Sequence, residues 1–413
     1  MSEQPALPLP HEGEPVDGAG EGWGQPEPDP PGSERDRLAR IVLGQVFEPG
    51  SARVDGLVRE LGAARLLTLL GEHRWVQDVS NDARARLAQV HPERDLERAE
   101  AMGVRYVVPG DDEWPACFDD LAGLEPLHEC SGPPLGVWVR GPHRLDEVSD
   151  GVAIVGSRAA TTYGVEVAGH LGSMVVQAGH AVVSGLAYGI DQAAHRGALA
   201  AGGVTISVLA NGVDRAYPSG HERLLDAVAA EGLVLSELAP GTAPTRIRFL
   251  TRNRLIAALG RGTVVVEAAA RSGALNTANW TSRLHRALMA VPGEVTSAAS
   301  RGAHQLVRMG AATLVTSPDD VLEVLGASGE HLAPDVRGPT RTRDKLAHRH
   351  QRILEAVPVT RPAMTESIAR TAGMGLFEVR GGLDQLARGG LIELTRRGWR
   401  MRQDEEGRPV IPD

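Results

Sequence analysis

Arginines set among glycines and hydroxyls, rather than a nucleophile paired with a base, make up the chemically loaded stretches of this chain. The first is Gly156-Ser157-Arg158 with Thr161, Thr162, Tyr163 and Gly164, directly after the apolar run 152 to 155. Gly156 lets a ligand approach the main chain closely, and Arg158 offers a planar fork of donors matched to phosphate oxygens. The second is Ser184-Gly185-Leu186-Ala187-Tyr188-Gly189-Ile190-Asp191, running on to His195. A third segment, 246 to 254, packs Arg246, Arg248, Arg252 and Arg254 around Phe249 and Asn253. If Thr251 caps the helix that follows, Arg252, Asn253 and Arg254 fill its first turn, where cations oppose the helix dipole unless an anion is bound. The fourth stretch, 267 to 278, offers Ser272 and Gly273 as a small backbone cup at a helix start, with the hydroxyl of Thr277 beside it.

Each stretch also has a plainer reading. The first is a tight βα turn with a surface arginine, since the G-x-G-x-x-G spacing of dinucleotide sites is lacking. The arginine run is a solvated turn. Asp191 and His195, at i and i+4, share a helix face and form either an acid–base pair or a cap with a local hydrogen bond. The second is preferred, because no nucleophile or metal-ligand set accompanies them. Ala210-Asn211-Gly212-Val213-Asp214 with Tyr217-Pro218 reads as a turn closing a sheet edge, and Glu267 as one half of a structural ion pair.

The elements that position these loops are legible from periodicity. Apolar strand-length runs at 152–156, 181–186, 204–210, 233–237, 263–268, 288–291 and 312–316 alternate with amphipathic helices, which predicts a doubly wound parallel α/β sheet. Ligands of such sheets bind at the strands' carboxyl ends, where all these loops gather. Ahead of it, 35–100 shows helical spacing and reads as a small helical domain, and 103–140 as a mixed adaptor within a main domain of 101–325. Beyond a linker at 326–341, helical patterns at 344–356, 363–371 and 376–388 precede a hairpin turning at Arg397-Gly398, so 342–402 reads as a winged helix. Residues 1–34 and 403–413 read as disordered tails.

Composition narrows the classes. The chain has 413 residues and a net charge of −10. Residues 1–34 hold eight acids and no Lys or Arg, whereas 341–402 hold 13 basic and six acidic residues, so local basic surfaces survive the overall acidity. Six Trp, four Tyr and four Phe argue against a surface built mainly on stacked bases. Cys117 and Cys130 match no C-x-x-C pattern and read as reduced structural thiols. Neither a run of about 18 apolar residues nor a signal-peptide pattern occurs, so a cytoplasmic protein without membrane contact is expected.

Taken in order, the runs G-S-R-x-x-x-x-Y-G, S-G-L-A-Y-G-I-D-Q-A-A-H, Y-P at 217–218, S-E at 236–237, R-N-R-L-I-A, V-V-E-A with S-G-A-L-N-T-A, and V-P-G at 291–293 resemble the DNA-processing protein A (DprA/Smf) family over about 115–325. The resemblance implies an extended Rossmann-like domain that binds single-stranded DNA, forms homodimers, hands the strand to the RecA recombinase and performs no catalysis; it implies no cofactor and no metal. It places phosphate contacts at Arg158, Ser184, Gly185, Phe249, Asn253, Arg254, Ser272 and Gly273. The loops themselves add Gly156, Ser157, Arg252 and Thr277. Leu250 stands where the family commonly has proline, and Asn276 and Trp280 also depart from its pattern. Competing readings are a nucleotide-hydrolysing Rossmann-like enzyme and a winged-helix transcription regulator. The hydrolase P-G-G-x-G-T run is replaced here by Ser272-Gly273-Ala274-Leu275-Asn276-Thr277.

Overall fold

The computed structural model describes residues 29–71, 85–327, 330–331 and 345–403. Most of the expected N-terminal tail and linker, and nearly all of the C-terminal tail, lie outside these residues. The chain divides into two compact units, Met1–Ala333 and Pro334–Asp413.

The larger unit is organised on a nine-stranded sheet: β1 (Val104–Val107), β2 (Val137–Arg140), β3 (Gly151–Val155), β4 (Val182–Ser184), β5 (Thr205–Val208), β6 (Leu233–Ser236), β7 (Gly260–Val265), β8 (Ala287–Ala290) and β9 (Thr313–Leu314). Strand order is β1-β2-β6-β5-β4-β3-β7-β8-β9. All seven predicted runs are strands, and β3 to β9 are parallel. The expectation of a wholly parallel sheet needs one correction. The adaptor segment supplies β1 and β2, and β2 adds antiparallel to β6. After β3 the chain winds outward through β4, β5 and β6, then returns to β3's other side as β7, so the crevice between β3 and β7 is the topological switch point.

The helices of this unit are α1 (Glu34–Val46), α2 (Ala52–Leu61), α3 (Ala63–Gly71), α4 (Pro92–Ala101), a single turn at Leu145–Val148, then α5 (Thr162–Gln177), α6 (Ile190–Ala200), α7 (Glu222–Glu231), α8 (Arg246–Leu259), α9 (Ala274–Arg283), α10 (Arg301–Arg308) and α11 (Pro318–Leu325). All five residues of β3 are buried, as a central parallel strand requires. Val152 and Ile154 join the core under α5 and α6, whereas Ala153 and Val155 join the one under α8 and α9. A β-carbon at Gly172 or Gly197 would strike the facing helix's backbone, so glycine lets α5 and α6 approach closely.

The helices expected as a separate N-terminal domain stay in the sheet's unit. Ile41 of α1 and Ala99 of α4 share a core with β1 and β2. Arg37 of α1 binds both carboxylate oxygens of Asp111 at 2.9 and 2.7 Å and the Tyr106 carbonyl at 2.7 Å. The end of the acidic tail is also built into this packing: the Ser33 hydroxyl accepts from the Asp36 amide at 3.2 Å and caps α1. Among the described residues no helix is long and apolar enough to cross a membrane.

The smaller unit holds α12 (His348–Ala356), α13 (Thr365–Ala372), α14 (Leu376–Arg388) and the antiparallel pair β10 (Ile392–Thr395) and β11 (Gly398–Met401) around a core of its own. Thr395 faces Gly398 across the pair, so the turn is Arg396-Arg397, one residue earlier than expected.

Candidate functional site

An open cleft of about 1050 Å³ lies at the switch point. Its walls come from the loop after β3 (Gly156, Ser157, Arg158), the start of α8 (Arg246, Phe249, Arg252, Asn253) and the loop after β7 with the first turn of α9 (Arg271, Ser272, Gly273, Thr277). Three of the four stretches singled out by residue type thus converge, and the second contributes through Ala187 and Asp191.

The loop after β3 is held by main-chain and carboxylate bonds. The Ser157 amide donates to the Glu267 carbonyl at 2.7 Å, and the Glu267 side chain accepts from the Thr161 amide at 2.9 Å and the Thr161 hydroxyl at 2.5 Å. Glu267 is therefore a loop clamp; the expected ion pair does not form among the described residues. Gly156 packs on Ile190 and Glu267 with no room for a side chain. From this base Arg158 projects into solvent with its guanidinium 4.8 Å from the Phe249 ring centroid, a cation–π contact. Tyr217 packs on the other end of this group, its ring 5.4 Å from that of Phe249, and is 44% exposed.

Helix α8 begins earlier than Thr251 would allow. Thr245 is its N-cap, accepting from the Arg248 amide at 3.4 Å. Arg246 and Arg248, rather than Arg252 and Arg254, therefore occupy the turn where cations oppose the dipole. Arg248 has its own counter-ion, binding Glu48 through two bonds of 2.9 and 2.8 Å. Arg246, like Arg271 across the cleft, is exposed and has no hydrogen bond or ion pair among the described residues.

Arg252 and Arg254 part company. The Arg252 guanidinium lies at the cleft floor, buried, donating to the Val208 carbonyl, with its Nε unpartnered. Burial pushes its pKa down to about 10, against the attraction of Asp191. The side chain fits because residue 185 is glycine: a β-carbon there would occupy the guanidinium's space. Gly185 thus makes room for an arginine and does not itself line the cleft. Ser184 is fully buried and donates to the Ile154 carbonyl at 2.6 Å, so its expected phosphate contact is not available.

Arg254 also departs from its expected role. It is 0% exposed, outside the cleft, and forms a two-pronged ion pair with Glu237 at 2.5 and 2.6 Å while Nε donates to the Gly132 carbonyl at 3.0 Å. Burial alone would lower its pKa; the Glu237 carboxylate more than offsets this and holds it above the ordinary arginine value. Asn253 donates to Asn276 at 3.2 Å and to the Gly273 carbonyl at 3.3 Å, tying α8 to the start of α9, so the departure at Asn276 is met by a bond. The Ser272 hydroxyl accepts from the Ala274 amide at 3.3 Å, while Gly273 is exposed on the cleft wall and Thr277 is 2% exposed at its base.

Asp191 and His195 do not form a catalytic pair. Asp191 accepts from the Gly185 and Ala187 amides at 3.2 and 3.4 Å and steadies that loop, and burial raises its pKa. His195 is fully buried against the Thr205 hydroxyl at 2.7 Å, with its pKa pushed by burial down to about 3. Residue reasoning underrated Tyr217, Arg246 and Arg271. A signal existed for Arg246, since it precedes Phe249 by three residues and shares its helix face.

The match to known proteins follows the same region. The family model of DNA recombination-mediator protein A covers residues 105–326. The putative DNA processing protein DprA of Mycobacterium tuberculosis is 43% identical over 366 residues, spanning 88% of this chain and 94% of the relative. The DNA processing protein DprA of Streptococcus pneumoniae is 44% identical over 176 residues, 41% of this chain and 60% of the relative. An X-ray structure of DprA from that organism aligns over 70% of this chain and 97% of its own at 29% identity, with a TM-score of 0.58. With the family's region carrying the switch-point cleft and its arginines, the chain belongs to the DNA recombination-mediator protein A (DprA/Smf) family.

Proposed function

We propose that the protein is a nonenzymatic single-stranded DNA-binding protein that protects DNA and promotes RecA loading in DNA uptake or recombination, acting as a homodimer in the cytoplasm. The observation that carries the DNA reading is the exposed Arg158, stacked on Phe249, at the mouth of an open cleft whose other exposed arginines, Arg246 and Arg271, have no counter-ion among the described residues. Guanidinium forks suit phosphate oxygens, and the rings beside them suit unpaired bases. The RecA and dimer steps rest on the family alone. Two free thiols, Cys117 and Cys130, accord with a reducing compartment.

The burial of His195 and the use of the Asp191 carboxylate as a loop clamp weigh against the nucleotide-hydrolase alternative, since the one has no water access and the other is engaged by two backbone amides. For the smaller unit, three helices and a two-stranded hairpin support a winged helix, and the positive charge of 341–402 suits nucleic acid. Titration of the full chain with single-stranded DNA, duplex DNA and free nucleotides tests the reading. Single strands should bind best, with little base preference and with affinity falling with salt at a log-log slope of about −0.7 per phosphate neutralised. Affinity that stays flat between about 50 and 300 mM salt, a range over which counterion release is visible, would remove the arginine cleft from the account.

A further inference from the structure

Three of the four tyrosines, Tyr163, Tyr188 and Tyr217, follow β3, β4 and β5 at the carboxyl edge of the sheet, and all are exposed, at 46, 48 and 44%. Tyr163 is committed, its hydroxyl donating to the Pro292 carbonyl at 2.7 Å. Tyr188 and Tyr217 are not so placed by hydrogen bonds among the described residues. They stand at the two ends of one short loop, 217–221: Tyr217 begins it and packs on Phe249, and Tyr188 packs edge-on against His221 at its end, with ring centroids 4.6 Å apart. His221 is a fixed support, 3% exposed, with its two ring nitrogens 2.9 Å from the Leu186 carbonyl and 2.8 Å from Gln192. Gly220 leaves room for the Tyr188 ring, since a β-carbon there would lie 3.0 Å from its hydroxyl.

A half-exposed aromatic ring on a rigid base offers a flat face on which an unpaired base can stack. The neighbouring cleft supplies the direction: Ala187 and Asp191, on either side of Tyr188, line its wall, and Arg158, Phe249 and Tyr217 form its mouth. We infer that Tyr188 and Tyr217 form a base-stacking platform that extends the arginine cleft across the 217–221 loop, so that unpaired bases of a single strand lie on these rings while its phosphates meet the arginines. This deepens the DNA-binding reading above and rests on it. Such a platform would favour single strands over duplex, whose bases are stacked on one another and present no free face.

The test compares the full chain with Tyr188→Ala and Tyr188→Phe, each titrated with a single-stranded oligodeoxynucleotide and with an abasic deoxyribose-phosphate strand of the same length. Tyr188→Ala should weaken binding of the intact strand about five- to a hundredfold. It should leave binding of the abasic strand and the log-log salt slope as in the parent. Tyr188→Phe should keep parental affinity, because the ring carries the contact. Equal loss on both strands would mean that the substitution deforms the cleft, and no loss on either would mean that Tyr188 meets no base; both overturn the platform while leaving the cleft in place. Failure of the parent to bind single strands at all would instead remove the reading on which the platform rests.

Discussion

Arg254, fully buried, and Glu237, partly buried, form a two-pronged ion pair, at 2.5 and 2.6 Å, that joins α8 to the end of β6. An arginine whose residue type and spacing suggested a phosphate contact is spent inside the fold. The same buried cation also holds the Gly132 carbonyl at 3.0 Å, so the loop before β2 depends on it.

The consequence for mutation is a loss of stability. Arg254→Ala leaves the largely buried Glu237 carboxylate without its cation and should cost up to about 3 to 5 kcal/mol, read as a fall in denaturant midpoint. Paired replacement by apolar residues, Arg254→Met with Glu237→Leu, should restore much of the loss, because no charge is then stranded. Unchanged stability in Arg254→Ala, with lost DNA binding, would return Arg254 to the cleft.

Arg158→Ala should do the reverse. The fold should survive, since the side chain is exposed and packs on the half-buried Phe249 ring. Loss of a charge-assisted bond of roughly 1.5 to 3 kcal/mol corresponds to about ten- to a hundredfold weaker single-strand binding, with a salt slope shallower by about 0.7. Lysine should rescue in part, keeping the charge and losing the fork. An equilibrium titration at several salt concentrations reads both quantities.

Gly185→Ala tests the floor. The added methyl must push the Arg252 guanidinium off the Val208 carbonyl, which should cost about 1.5 to 3 kcal/mol of unfolding free energy. Pairing it with Arg252→Met should relieve the clash, so the two substitutions should be less than additive in a double-mutant cycle. Strict additivity would show that the two sites do not touch.

His195 predicts an acid dependence of stability. Unfolded, its imidazole takes a proton near its ordinary value of about 6.5; folded, burial delays this to about 3. Between those values the unfolded chain holds more protons, so stability present above about pH 6.5 is lost as pH falls, by at most about 1.4 kcal/mol per unit for this one group. Asp191, whose pKa burial raises, acts in the opposite sense above its ordinary range. Urea unfolding at pH 7, 6 and 5 should show a shallower decline for His195→Gln than for the parent. Parallel curves would place the acid sensitivity elsewhere.

The sequence by itself determined the alternation of strands and helices, the gathering of the loaded loops at one sheet edge, and the convergence of Arg158, Phe249 and Ser272 on one cleft. Those features are local: strand burial repeats along the chain, and a parallel sheet places every strand's following loop on the same side. Tertiary structure alone decided which of Arg252 and Arg254 faces the cleft. Arg252 and Arg254 are two residues apart and so point to nearly opposite sides of the helix. From Thr251 to Leu259 that helix is buried all round, so no polar stripe marks its outer face. Which side opens on the cleft was set by distant partners, Glu237 and Gly132 taking Arg254 inward and Gly185 leaving space for Arg252, and none of these contacts is encoded by spacing within the helix itself.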